Sequence, residues 1–276
     1  MAHVIAFSFD KGGVGKTTTT ITLASALERK GFKVLLIDLD PQATATKHFG
    51  LPAEFPRKKG EGGSQTFPPH MGQVLLGNVD IDKIRQRNFN IDILPAAHEM
   101  TSDEYALAPK PFSHTLLNEY LEPLLNEYDF ILIDCPPSLG TYTTNALCAA
   151  DSLIIPIEAA SYSIESVEKM YRSFQKIKVY NPSLELLGIV ITKCSYALQT
   201  TMGKNNLESL RKAFPDKVLQ PYIRNSIAID ESQNNKDTIY GYDPNCKAAR
   251  DYLAIAQYII KTVYPQRYVE ETTAQA

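Results

Sequence analysis

Cysteine is scarce in this 276-residue chain: Cys135, Cys148, Cys194 and Cys246 are the only four, and no two form a CxxC pair. That spacing argues against a disulfide framework or a cysteine zinc site, and it fits a reduced, cytoplasmic setting. An excess of positive charge is also lacking. Lysine and arginine total 28 against 31 aspartate and glutamate, a formal net charge of −3, so the chain as a whole is no electrostatic magnet for nucleic acid or acidic lipid. A local basic patch stays open under that balance. No apolar run approaches the roughly 18 residues of a membrane span. The first apolar run, Val4-Ile5-Ala6-Phe7, is a strand's worth rather than a secretory leader. Neither a repeat at solenoid periods nor a sustained heptad pattern is found. With 44% hydrophobic residues the chain can bury one good core, and a single domain over 1–276 is the simplest count.

Short apolar runs alternate with helical stretches, which predicts βαβ units: an α/β fold with an open, mostly parallel twisted sheet and helices on both faces. Strands are expected at Val4–Phe7, Lys33–Ile37, Ile91–Leu94, Phe130–Ile133, Leu153–Ile157 and Leu187–Ile191. They are continuous apolar runs, as strands covered on both faces should be. Helices are expected at Thr18–Lys30, Pro111–Tyr128, Ser163–Val179, Lys204–Phe214 and Lys247–Val263, with Gly31 able to take the left-handed position that ends the first. Between Gly50 and Gly72 lie Pro52, Pro56, Pro68, Pro69, three glycines and Arg57-Lys58-Lys59. That density of breakers predicts a long flexible insertion, and the polar tail 269–276 should fray.

Lys11-Gly12-Gly13-Val14-Gly15-Lys16-Thr17 lies between the first predicted strand and the first predicted helix, the context a phosphate-binding loop requires. Consecutive glycines let backbone N–H groups turn inward on an anion, and the following helix presents its positive end to the same phosphates. Lys16 would reach the β- and γ-phosphates, the Thr17 hydroxyl would ligate Mg²⁺, and Thr18 would touch the α-phosphate. The loop lacks the glycine that the general GxxxxGK[ST] pattern places at position 10, where this chain has Asp10, and it carries a second lysine, Lys11. One lysine suffices for a bound nucleotide. A cation reaching across a dimer to the partner's phosphates is a task for the second, as an arginine finger does.

These residues resemble the deviant Walker A motif of the ParA/MinD family of P-loop ATPases. Leu35-Leu36-Ile37-Asp38-Leu39-Asp40-Pro41-Gln42, Ile131 to Gly140, Asn145-Ala146-Leu147 and Asp151 to Ile157 continue the resemblance in the family's order. It covers nearly the whole chain and is nearest to the small ParA proteins that position plasmids, chromosome origins or other cargo. The resemblance implies an ATP-dependent dimer, slow hydrolysis stimulated by a ParB-like or other cargo-adaptor protein, and binding to non-specific DNA, hence a nucleoid location within the cytoplasm. A MinD-like membrane-associated switch and a metabolic enzyme on the same fold are the alternatives. The chain departs from the pattern where an arginine is expected, at Ser226-Ile227-Ala228-Ile229. The nearby cations are Arg211, Lys212, Lys217, Arg224, Lys236, Lys247 and Arg250.

Asp38 and Asp40 lie two apart at a strand end, so both side chains can share a face. The resemblance makes Asp40 the residue that polarises the attacking water and puts Asp38 near the Mg²⁺ through water. Asp134, after an apolar strand, stands where a Walker B carboxylate belongs. For adenine, the resembling stretch is Ile223-Arg224-Asn225, with Ile223 where the family has proline and a backbone carbonyl as the expected reader. Thr192-Lys193 is a second candidate for the base pocket. The set is therefore Lys11, Lys16 and Asp40 for catalysis; Lys11 to Thr18, Ile223 and Asn225 for ATP; Thr17, Asp38 and Asp134 for Mg²⁺.

Overall fold

The computed structural model describes residues 1–53 and 68–268. In chain order it has β1 (His3–Phe7), α1 (Lys16–Arg29), β2 (Val34–Asp38), α2 (Thr44–His48), α3 (Met71–Leu75), α4 (Ile81–Ile84), β3 (Gln86–Asn88), β4 (Ile91–Leu94) and α5 (Met100–Leu107). Then come α6 (Leu116–Leu121), β5 (Phe130–Asp134), α7 (Thr141–Ala149), β6 (Ser152–Glu158), α8 (Ile164–Ile177) and β7 (Glu185–Thr192). The chain closes with α9 (Thr201–Ala213), α10 (Ile227–Asn234), α11 (Ile239–Tyr242) and α12 (Lys247–Val263).

Among the described residues the strands form one seven-stranded sheet in the order β3-β4-β2-β5-β1-β6-β7. Every pairing is parallel except that of β3 with β4. Side-chain alternation sends Val4 and Ala6 of β1 into the core that α3 to α9 cover. Ile5 and Phe7 enter the opposite core, under α1, α11 and α12. That two-sided burial explains why the strands read as unbroken apolar runs. In α12, Tyr252, Ile255, Ala256, Ile259 and Ile260 recur at three- and four-residue intervals, are buried, and face the sheet and α1. Emptying such a site, as in Ile255→Ala, costs roughly 2–5 kcal/mol.

All six predicted strands are present, as are helices α1, α8, α9 and α12. α1 ends where expected, with Gly31 at φ 82°. Three expectations are corrected. The helix predicted over Pro111–Tyr128 is α6 followed by a 3-10 turn, Glu122–Asn126. Pro123 has no N–H to continue the α ladder, and Phe112 holds a left-handed φ of 57° ahead of α6. α9 begins three residues early, at Thr201, because the Thr200 hydroxyl accepts from Gly203 N at 3.0 Å and caps it. The breaker-rich stretch 50–72 lies mostly outside the described residues, at 54–67, and its far end is already helical: Met71 and Gly72 open α3, with Met71 buried. The exposed strand β3 has no apolar alternation and was not legible; it is held by backbone pairing to β4.

Candidate nucleotide site

Parallel strands with β1 in the middle bring the loops after β1, β2, β5 and β7 to one edge of the sheet, the place where such sheets bind ligands. The loop after β1 turns at Gly13 (φ 76°) and Gly15 (φ 87°), a backbone region that side chains with a Cβ rarely adopt. Gly15 caps α1 with no side-chain hydrogen bond, and the first turn carries no acid, so its N–H groups and positive dipole end are left for an anion. Thr192 and Lys193, at the end of β7, brace this loop. The Thr192 hydroxyl donates to the Val14 carbonyl at 2.8 Å and the Lys193 ammonium to that of Gly13 at 2.7 Å.

The two loop lysines have different settings. Lys16 is 6% exposed, and its ammonium donates to the Lys11 carbonyl at 3.1 Å. Burial pulls its pKa below the usual lysine range, with Asp134 and Asp40 pushing the other way. Lys11 is exposed and donates to the Ser161 carbonyl at 2.7 Å. Asp10, the departure from the general motif, pairs with Lys169 of α8 at 3.1 Å and so ties the loop to that helix. Only the fold brings Lys169 there, and nothing in the sequence marked it.

Behind the loop lies an acid cluster. Asp38 and Asp134 are register partners on β2 and β5. Asp134 lies beside the Thr17 and Thr20 hydroxyls, the latter 3.4 Å from its Oδ1, and its Oδ2 is buried with no partner among the described residues. Burial, with Asp38 alongside, raises its pKa well above the carboxylate range. A buried carboxylate oxygen still lacking a partner, beside a threonine hydroxyl, is an all-oxygen donor set that fits a hard divalent cation such as Mg²⁺. Asp38 differs. Its Oδ2 accepts from the Thr46 N–H (2.9 Å) and hydroxyl (2.8 Å), and its Oδ1 from Asp40 N (3.1 Å). Burial raises its pKa to about 7. These three donors all come from its own chain, so Asp38 anchors the segment that carries Asp40, and Oδ1 keeps a lone pair that can accept from a water. Asp40 is nearly buried, and its Oδ1 accepts from Gln42 N at 2.9 Å.

A cavity of about 250 Å³ adjoins the loop, with Gly15, Thr18, Thr192, Asn225, Asp230 and Tyr252 among its lining residues. It brings together both base-pocket candidates, since Lys193 and Ile223 line it too. The stretch Ile223-Arg224-Asn225, whose backbone is the expected reader of adenine, lines this cavity. The Ile223 carbonyl accepts from Cys194 N (2.8 Å) and Ile223 N donates to Ile191 O (2.8 Å), which lays 223–225 along the end of β7. Asn225 remains in the cavity wall. Arg224 is also spent structurally: its Nε and Nη2 donate to the nearly buried Asp251 carboxylate at 2.8 and 2.6 Å.

A glycine-rich loop between a central parallel strand and a helix, with a buried lysine and an acid on the neighbouring strand, defines the class of P-loop nucleotide-binding proteins. A family model described as an AAA domain matches residues 2–186. The chromosome-partitioning ATPase Soj of Thermus thermophilus is 34% identical over 94% of this chain and 96% of its own. Among solved structures, cobyrinic acid a,c-diamide synthase from Mycobacterium smegmatis, with bound ADP and magnesium, superposes with a TM-score of 0.79 at 29% identity, covering 95% of each chain. A putative plasmid partition protein from Borrelia burgdorferi, bound to AMPPNP, gives 0.75 at 28% identity, over 95% of this chain and 100% of that one. The chain belongs to the ParA/MinD family of P-loop ATPases, on its partition-type branch.

Proposed function

We propose that this protein is an ATP-dependent, dimerising ATPase that positions or segregates DNA or another cellular cargo. The observation that carries the reading is the division between the two loop lysines. Lys16 is buried against Asp134 and Asp40 within its own site, while Lys11 is exposed on the loop's outer side, where a second copy of the chain can meet it. Lys16 then supplies charge to the β- and γ-phosphates, and Lys11 neutralises charge on the partner's nucleotide when two copies close. Thr17 and Asp134 would hold Mg²⁺, which adds a further positive charge on the phosphates when bound. Asp40, held by the Asp38 anchor and by Gln42 N, orients the attacking water. Homodimerisation on ATP, a ParB-like or other adaptor as activator, and a location in the cytoplasm on the nucleoid belong to this proposal.

Non-specific DNA is the proposed track. With Arg224 committed to Asp251, Lys236, Lys247 and Arg250 are exposed cations of the same chain segment that can meet it. The MinD-like alternative needs an apolar helix face for a membrane, and the apolar face of α12 is packed in the core. No helix among the described residues is long and apolar enough to cross a membrane. Likeness to a synthase is likeness of fold, which does not carry its reaction. The test is binding to random-sequence duplex DNA with ATP, with ADP and without nucleotide, across a salt series. ATP-restricted binding that weakens steeply with salt is expected. A wild-type ATP dimer that ignores DNA at low salt would overturn DNA as the track.

A further inference from the structure

Thr18, in the first turn of α1, accepts a hydrogen bond on its hydroxyl from Gln233 Nε2 at 2.8 Å. Gln233 lies 215 positions further along the chain, on α10, the helix that also contributes Ile229 and Asp230 to the cavity Thr18 lines. Elsewhere in α1 the hydroxyls of Thr20 and Ser25 donate to carbonyls four residues back, each at 3.0 Å. For Thr18 that carbonyl is Val14, which is taken by the Thr192 hydroxyl at 2.8 Å. Among the described residues no protein acceptor receives the Thr18 proton. A threonine hydroxyl is one donor as well as an acceptor. With an amide N–H on its acceptor side, the proton is directed away from Gln233, and the amide's polarisation strengthens the bond it gives.

We infer that Gln233 is a positioning residue for phosphate recognition: it sets the Thr18 hydroxyl to donate to the α-phosphate of a nucleoside di- or triphosphate, and it ties the α10 wall of the cavity to the phosphate loop. The inference rests on the reading of this edge as a nucleotide site. Gln233→Glu tests it with little change of shape. A carboxylate at that place takes the Thr18 proton for itself and sets a negative charge beside the phosphate.

The experiment is a titration of ADP by calorimetry, and of adenosine by ligand-observed NMR, into the wild type, Gln233→Ala, Gln233→Glu, Thr18→Val and the Thr18→Val/Gln233→Ala double variant. Losing one hydrogen bond of ordinary worth predicts ADP affinity about 3- to 10-fold lower in Gln233→Ala, and lower again in Gln233→Glu. Adenosine, which has no phosphate, should bind all of them alike. The double variant should bind ADP as Thr18→Val does, because the two residues act through one hydroxyl. Equal losses for ADP and adenosine would show that Gln233 only supports the cavity wall, and unchanged ADP affinity in both Gln233 variants would show that it does nothing; either overturns the inference. Failure of the wild type to bind ADP at all would instead overturn the nucleotide site beneath it.

Discussion

Asp38 and Asp134 stand opposite one another in the β2–β5 register, both with no exposed surface. Two carboxyl groups in that setting resist ionisation, because each lacks water and would face the other's charge. Their folded-state pKa values are raised, that of Asp38 to about 7 from an ordinary 3.8. The folded chain thus holds protons where the unfolded chain has released them, so the pair's contribution to stability is full below the ordinary carboxylate pKa and lost as pH rises through the folded value. With divalent cations chelated, the thermal midpoint should fall between pH 5.5 and 8, and Asp134→Asn should flatten that fall. A midpoint that rises across this window would refute the assignment.

Lys16→Ala removes the buried ammonium that faces Asp134 and Asp40. Nucleotide binding should be lost in a direct titration, since no other side chain of the loop is placed to take the β/γ charge. Affinity like the wild type's would remove Lys16 from the phosphate site.

The Lys11 ammonium donates to the Ser161 carbonyl in an exposed bond within its own chain. Lys11→Ala should therefore bind ADP normally and yet fail to form an ATP-dependent dimer or to turn over ATP. Sedimentation showing an intact ATP dimer, together with full turnover, would rule out a role across the interface.

Asp40→Ala should bind ATP and dimerise while hydrolysing roughly 10²- to 10⁴-fold more slowly, the usual worth of a water-orienting base. Single-turnover measurement decides this, and an unchanged rate would exclude Asp40 from the chemistry. The anchor predicts a different effect for Asp38→Asn. An amide has only one acceptor oxygen for Thr46 and Asp40 N, so about 1–3 kcal/mol of stability should be lost before any step of catalysis is affected.

At the cations near 224–250, charge reversal separates structure from contact. Arg224→Glu would set a second carboxylate against the buried Asp251 and should lower the thermal midpoint. Lys236→Glu, Lys247→Glu and Arg250→Glu sit on exposed positions and should leave the midpoint and ATP-driven dimerisation in place while weakening DNA binding. If none of the three weakens it, a protein or filament surface becomes the track.

The sequence by itself determined what depends on local spacing. Glycines that turn a loop onto an anion, Lys16 and Thr17 at a helix start, Asp134 after an apolar strand and the βαβ alternation are each properties of a dozen neighbouring residues, and each stands where its pattern placed it. The tertiary structure decided whatever depends on which groups are already engaged. Ile223 is laid beside the end of β7 by Ile191 O and Cys194 N, and Arg224 looked available to DNA until Asp251 took its guanidinium. Gln233 and Lys169 carried no motif at all and reach the phosphate loop only because the sheet edge gathers distant loops. A hydrogen-bonding group has few partners to give, and the partners that compete for it, tens or hundreds of residues away in the chain, are set by folding alone.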